Sequence, residues 1–324
     1  MLLTHPDNWG TLLINDSRTG DYTFTLNNQL PRVQALGEGE IVTAVFTIRV
    51  TDKHGGQSDK ELAITITGTN DNPVLASLSG LNVTAEANSA DIVPSQTRQA
   101  KATDVDSDQG ALQYECAFKS AIQNGTPLSG KQAEDYGTLH LEADGKYWFA
   151  LDNSKEAVKA LGGGETITLT FEMTARDDHG ATSAPQSFAV QISGVNDAPE
   201  FIAADSHFDR TLDLAEGTTT GKVTAIDPDS PFTYAIRKET VGEVTEGTTV
   251  DGNYGTITIG NGGNYTYTLR SGVNPADVPS NGREVFTVLA TDANGAFAER
   301  QLTITLEGGT APAITGRGRM ASFA

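Results

Sequence analysis

Residues 136–151 read YGTLHLEADGKYWFAL. A Gly-Thr pair opens one alternating run, a polar turn containing Gly145 follows, and a second run returns through Tyr147, Phe149 and Leu151. Side chains two apart share one face of a strand, so the pattern predicts a β-hairpin with these three residues toward a core. The hairpin recurs as WGTLLINDSRTGDYTFTL at 9–26 and as YGTITIGNGGNYTYTL at 254–269. The corresponding core positions are Tyr22, Phe24 and Leu26, then Tyr265, Tyr267 and Leu269. Self-similarity of this kind marks an array of one repeated structural unit.

A second block follows each hairpin. QALGEGE at 34–40 matches KALGGGE at 159–165, and the third copy keeps only SNGRE at 280–284. Its glycines predict a short helical turn or loop. Then comes a strand with Phe46, Ile48, Val50 and Asp52 in one phase, repeated by Phe171, Met173, Ala175 and Asp177 and by Phe286, Val288, Ala290 and Asp292. The acid keeps the apolar phase, which places it at one end of the module, facing inward. The turns DKHGG, DDHGA and DANGA follow, and a last strand carries Leu62, Ile64 and Ile66, then Phe188, Val190 and Ile192, then Leu302, Ile304 and Leu306. Linkers GTNDNP (68–73) and GVNDAP (194–199) close two copies, whereas the third ends GGTAP (308–312). Proline cannot join a central ladder, so each linker ends a sheet. Long helical periodicity is absent, and short strands with regular turn signals predict an all-β chain of antiparallel sandwiches. We place modules at 1–73, 74–199 and 200–312 and a disordered tail at 313–324. The first module is partial, because too few residues precede Trp9 to supply its first strands.

Composition narrows the function. The 324 residues include 42 Asp plus Glu against 22 Lys plus Arg, a net charge of −20. Such a chain is a poor partner for phosphate backbones and anionic membranes, and suits cation binding or high solubility. A single cysteine, Cys116, rules out a disulfide scaffold and reads as a small core residue. No apolar run approaches the ~20 residues that span a bilayer, and the N-terminus lacks the parts of a signal peptide. Export would therefore use signals outside this stretch. HExxH, CxxC, GxSxG and Walker patterns are missing, which argues against an enzyme. His54 and His179 recur in the DxHG turn, but Asn294 replaces them in the third copy, so they read as turn residues.

The run DYTFTLNN…VQALGEGE…FTIRVTDKHGG…ITITGTNDNP resembles the VCBS repeat of very large bacterial surface proteins, including RTX-type adhesins exported by type I secretion. The resemblance covers nearly all of 9–312; it is weaker in the third copy, which is closer to a generic bacterial cadherin-like domain. It implies tandem immunoglobulin/cadherin-like antiparallel β-sandwiches arranged end to end. The implied location is secreted or on the bacterial cell surface. The implied partners are neighbouring modules of the same long chain, with a surface glycan or cell-surface receptor beyond them.

The acids collect in matched places. Asp104-Val105-Asp106-Ser107-Asp108 and Asp227-Pro228-Asp229 precede the second and third hairpins, and Ala85-Glu86 and Ala215-Glu216 lie upstream. Ca²⁺ takes about six to eight oxygen ligands, more than one loop usually supplies. Because strands run alternately up and down, the Asp-x-Asp loop should share an end with the turn Asp. The early Glu should share the other end with the Gly-Glu loop. The resemblance implies calcium between modules, as in cadherins. The ligands expected for the second and third modules are Glu86, Glu165, Asn196, Asp197, Asp227, Asp229 and Asp292. For the first and second they are Glu40, Asn70, Asp71, Asp104, Asp106 and Asp177. Cadherin linkers carry a further acid where this chain has Gly68 and Gly194. At the far end of the third module Glu216 and Glu284 remain without an Asn-Asp linker, so no complete site is expected there. Asp104, Asp106, Asp108 and Glu115 have EF-hand spacing, but Gln109 stands where that loop needs glycine and no helices flank it. Two rival readings stand beside the calcium-stiffened spacer: a glycan- or other ligand-binding module presenting the outward-phased Trp148, and an accessory segment of a secreted hydrolase.

Overall fold

The structure is a computed structural model that describes residues 2–5, 7–106, 112–240, 243–279 and 282–307. The third linker, the tail, Asp108 and Gln109 of the EF-hand-like run and Ser280-Asn281 lie outside the described residues. Strands dominate, and no helix among the described residues is long and apolar enough to cross a membrane. Contacts divide the chain into two units. The first comprises Met1–Val83, Ile92–Leu151 and Ile167–Ile192; the second comprises Thr84–Asp91, Asp152–Thr166 and Ser193–Ala324.

In the first unit, Leu2–Thr4, Gly10–Ile14 and Tyr22–Leu26 form an antiparallel sheet, and Ile41–Thr51 pairs with Gln57–Thr67. Leu12, Leu36, Ala44, Phe46 and Ile66 make the core of this first copy. The strand at Leu2–Thr4 was not expected from the sequence. Here the hairpin reading needs correction: Tyr22 is 46% and Leu26 36% exposed, and only Phe24 packs on the core. Val50 and Asp52 also lie outside it. The second copy differs, with Tyr147, Phe149 and Leu151 fully buried. The Tyr147 hydroxyl donates to the Ser79 carbonyl at 2.7 Å and accepts from the Ser79 N–H at 3.1 Å. A segment preceding the hairpin thus reaches the Tyr147 end of the aromatic row, whereas Leu2–Thr4 of the first copy pairs with the opening hairpin strand Gly10–Ile14.

The second copy builds a sheet in the order Thr126–Pro127, Gln113–Gln123, Thr166–Arg176, Gln186–Ser193 and Leu81–Thr84. The other sheet holds Gly137–Leu141 and Lys146–Asp152, the latter flanked by Ile92–Pro94 and Arg98–Gln99. Phe171, Met173, Ala175 and Asp177 all point inward as the phase requires. Cys116 is half-buried, and burial pushes its thiol up to about 11, so it stays protonated.

In the second unit, the third copy forms a five-stranded sheet ordered Asp209–Asp213, Phe297–Glu307, Gly282–Asp292, Phe232–Thr240 and Glu243–Gly247. A four-stranded sheet faces it: Thr218–Lys222, Asn264–Leu269, Gly255–Ile259 and Thr249–Asp251. Tyr265, Tyr267, Ile257, Phe286, Val288 and Leu302 fill the core. One ladder departs from the antiparallel expectation: Asp209–Asp213 runs parallel to Phe297–Glu307, with Asp209 opposite Thr303 and Asp213 opposite Glu307. Glu284 is a second correction. Matching SNGRE to the Gly-Glu loop puts this acid at the module end, yet it is completely buried in a strand. Counted back from the turn Asp, it occupies the core position held by Ala44 and Leu169 in the other copies.

Candidate metal site

The turn acids set the geometry. Gly180 and Gly295 sit at φ 94° and 92°, a left-handed conformation that admits glycine readily, and this closes the tight Asp-x-x-Gly turns. Asp177 Oδ1 accepts the Ala181 N–H at 2.8 Å; Asp292 Oδ1 accepts those of Asn294 and Ala296 at 2.8 and 2.9 Å. One carboxylate oxygen therefore holds the turn, and the other is free to reach the linker. Asp177 Oδ2 takes the Asn70 amide at 2.8 Å in the first unit, and Asp292 Oδ2 takes the Asn196 amide at 2.7 Å in the second. Burial works to raise both carboxyls, but the Asn amide and the turn N–H groups outweigh it and hold them below the usual range.

The Asp-x-Asp loops meet the same linkers. The Asp71 N–H donates to Asp106 Oδ2 at 2.8 Å, and the Asp197 N–H to Asp229 Oδ2 at 2.9 Å. Each pair is folded on itself: the N–H of Asp106 faces Asp104 Oδ1 at 3.4 Å, and that of Asp229 faces Asp227 Oδ1 at 3.2 Å. In the second unit Asn196, Asp197, Asp227, Asp229 and Asp292 are thus brought together. In the first, Asn70, Asp71, Asp104, Asp106 and Asp177 make the matching set.

These groups have oxygens left over. Asp104 Oδ2 and Asp106 Oδ1 are buried without a hydrogen-bond partner, as are Asp227 Oδ2 and Asp229 Oδ1. The same atoms are orphaned at both places. Asn70 Oδ1 is a fifth, whereas Asn196 Oδ1 accepts the amide of Asn294, the residue that replaces His179. A buried carboxylate oxygen without a donor is costly, so the titrations move. Burial, then the adjoining Asp229, push Asp227 up to about 6. Burial and Asp106 likewise raise Asp104. Asp197 is raised by burial and the Asp229 charge, against opposition from the Asn88 N–H and Lys159.

The glutamates behave differently. Glu40 and Glu165 accept the N–H of Gly37 and Gly162, each inside its own loop. Glu86 is exposed and takes Ser89 Oγ at 3.4 Å. None of these hydrogen bonds joins a glutamate to the aspartates. Among the described residues, no group of three or more His, Cys, Asp or Glu side chains is arranged as a finished metal cage.

Two contributors escaped the sequence. Asn88, at φ 51°, gives its N–H to Asp197 Oδ1, its amide to the Ala198 carbonyl at 3.0 Å, and accepts the Ala198 N–H at 2.9 Å. Glu38 Oε2 accepts the Asn70 N–H at 3.1 Å. Its counterpart in the second copy is Gly163; the QALGEGE block flagged the loop but not this residue. Gly194 also finds its reason: a Cβ there would stand 2.5 Å from the carbonyl oxygens of Leu161 and Gly162. Gly68 meets the carbonyl of Leu36 in the same way, so neither backbone accommodates the additional cadherin acid.

Residues 70–194 match the family of bacterial cadherin-like domains, and residues 196–305 match a bacterial Ig domain family. Such families are generally non-catalytic and typical of extracellular or surface proteins, and the matches suggest an adhesion-type or spacer module. A search of curated proteins finds no match. Similar solved structures include protocadherin gamma B2 extracellular cadherin domains 1–5, at 16% identity and TM-score 0.43, covering 94% of this chain and 53% of that one. Another is human CDH23 EC21–23, at 16% identity and TM-score 0.43, covering 94% of this chain and 85% of that one. The chain spans about half the length of the first of these.

Proposed function

We propose that this chain is a non-catalytic extender of a bacterial surface adhesin of the VCBS-repeat type, serving cell adhesion and biofilm growth. Ca²⁺ held by linker and loop acids would stiffen its joints. The observation that carries this reading is the set of orphaned oxygens: Asp104 Oδ2 and Asp106 Oδ1 in one copy, Asp227 Oδ2 and Asp229 Oδ1 in the next. Their repetition atom for atom argues against chance. An all-oxygen, anionic donor set suits a hard cation rather than zinc or copper. The ion would supply positive charge and open coordination positions. Asp104, Asp106, Asn70 and Asp71 would hold it at the first linker, with Asp177 holding Asn70 in place. Asp227, Asp229, Asn196 and Asp197 would hold it at the second, with Asp292 in the Asp177 role. Glu40, Glu86 and Glu165 would have to leave their present hydrogen bonds to join. Without the ion, clustered carboxylates repel and the linkers loosen.

The test compares small-angle scattering and thermal melting in calcium and in chelator. Calcium should raise the melting temperature and lengthen the particle, with affinity of about 10⁻⁴–10⁻³ M as in other extracellular modules. An unchanged melting temperature and maximum dimension would sink the reading. One observation favours a second function. Exposed His140 stacks on Trp148, with centroids 4.7 Å apart and planes within 5°, an aromatic pair against which a sugar ring could pack. Glycan-array binding lost in Trp148→Ala would promote it.

A further inference from the structure

The buried Glu284 has a partner that the calcium reading leaves unused. Lys238 keeps the inward phase of Tyr234 and Ile236, and its side chain is only 10% exposed. Its Nζ lies 3.0 Å from Glu284 Oε2 and 3.3 Å from Asn253 Oδ1, and 5.3 Å from the Phe286 ring centroid. Glu284 Oε1 accepts the Tyr254 N–H at 2.5 Å and the Tyr267 hydroxyl at 3.1 Å. Burial and the Glu284 charge push the Tyr267 hydroxyl far up, so it remains a donor.

The loop carrying Asn253 is held against this group. A Cβ on Gly252 would fall 2.5 Å from Glu284 Oε1, so glycine alone lets the backbone come this close. Arg270 Nη2 donates to the Gly252 carbonyl at 3.0 Å and pins the loop from outside. Asn253 itself sits at the exposed rim. An amine, a carboxamide and a carboxylate therefore meet beside aromatic rings. Lys238 lies on one sheet of the sandwich, and Asn253 lies on the turn between Thr249–Asp251 and Gly255–Ile259 of the other.

We propose that Lys238 and Asn253 become joined by an intramolecular amide bond, with Glu284 as the proton carrier. A lysine amine freed of its proton is a nucleophile, and a buried carboxylate can take and return that proton. The Nζ lone pair attacks Asn253 Cγ, one bond from the oxygen it already faces. The Nζ–Cγ bond forms and the Cγ–Nδ2 bond breaks. Of the three protons on the starting ammonium, one stays on the new amide and two pass through Glu284 to Nδ2. Nδ2 departs as ammonium through the exposed rim. The carboxylate is restored, charge is conserved, and nothing is oxidised or reduced.

Intact-mass spectrometry of the denatured full chain tests this, followed by digestion. The chain should weigh about 17 Da less than its sequence, and a branched peptide should link the Lys238 and Asn253 segments. Lys238→Ala and Asn253→Ala should show the full mass; the second alters only an exposed side chain and should leave the fold intact. Asn253→Asp should instead lose water, about 18 Da, through the same bond. A parent chain of full mass overturns the proposal. So does a deficit mapped elsewhere, such as a succinimide at Asn261-Gly262.

Discussion

Replacing Asp227 by Asn should make the calcium-free protein more stable and the calcium-loaded protein less so. Burial and Asp229 push Asp227 up to about 6 from an ordinary 3.8. At pH 7 the fold must hold that carboxyl ionised, and each unit of displacement is worth about 1.4 kcal/mol. The penalty is about 3 kcal/mol before solvent screening and about 1–2 kcal/mol after it. The sign is fixed by linkage: a carboxyl raised in the fold contributes stability that is fully present below about 4 and is lost as pH rises through about 6, so at pH 7 the loss is complete. The asparagine side chain keeps an oxygen for the N–H groups of Asp229 and Ser230, which Asp227 Oδ1 accepts at 3.2 and 2.9 Å. The substitution removes only the charge. Calorimetry at pH 7 in chelator should place Asp227→Asn about 2–8 °C above the parent. In millimolar calcium the parent should gain further and the variant little. A variant that melts below the parent in chelator, or that keeps the parent's full calcium increment, refutes the reasoning.

Other expectations follow from the same contacts. Asp104, Asp197 and Asp227 all hold protons longer than free carboxylates, so calcium must displace protons as pH falls. Titration calorimetry should find affinity about tenfold weaker at pH 5 than at pH 7; equal affinities would count against these acids as ligands. Asn88→Gly preserves the φ 51° backbone and deletes the clamp on Ala198, and should cost about 1–2 kcal/mol by denaturant unfolding. Asn88→Ala should cost more, because alanine also resists that φ; the reverse order would contradict the clamp. Gly194→Ala forces a Cβ against the Leu161 and Gly162 carbonyls and should cost about 1–3 kcal/mol, read as a lower unfolding midpoint.

The sequence carried the fold where a pattern follows directly from strand geometry. The inward phase of Phe171, Met173, Ala175 and Asp177 is a consequence of period two, and burial agrees at every position. Phase says which residues share a face but not whether anything covers that face. Tyr22 and Leu26 are exposed, while their counterparts Tyr147 and Leu151 are fully buried. The matched aspartates and linker asparagines were legible because repetition singles out positions that local turn chemistry alone does not explain. Asn88 was not, since its partners are more than a hundred residues away. Glu284 misled because a Gly-Arg-Glu string resembles a loop. Lys238, Tyr267 and the Tyr254 N–H together make a glutamate tolerable where the other copies have leucine and alanine.

The parallel pairing of Asp209–Asp213 with Phe297–Glu307 has a mechanical consequence. A tether working under tension is pulled at the two ends of each sandwich. Were the third copy of the proposed extender pulled at its two ends, force would enter ahead of Asp209 and leave after Glu307. Because both strands run the same way, the pull slides one along the other and loads the whole ladder together. An antiparallel edge gripped at one end would peel a bond at a time. Force spectroscopy would register the difference as one abrupt rupture in place of a gradual yield. A linkage from Lys238 to Asn253 would further shorten the length of chain this sandwich can release.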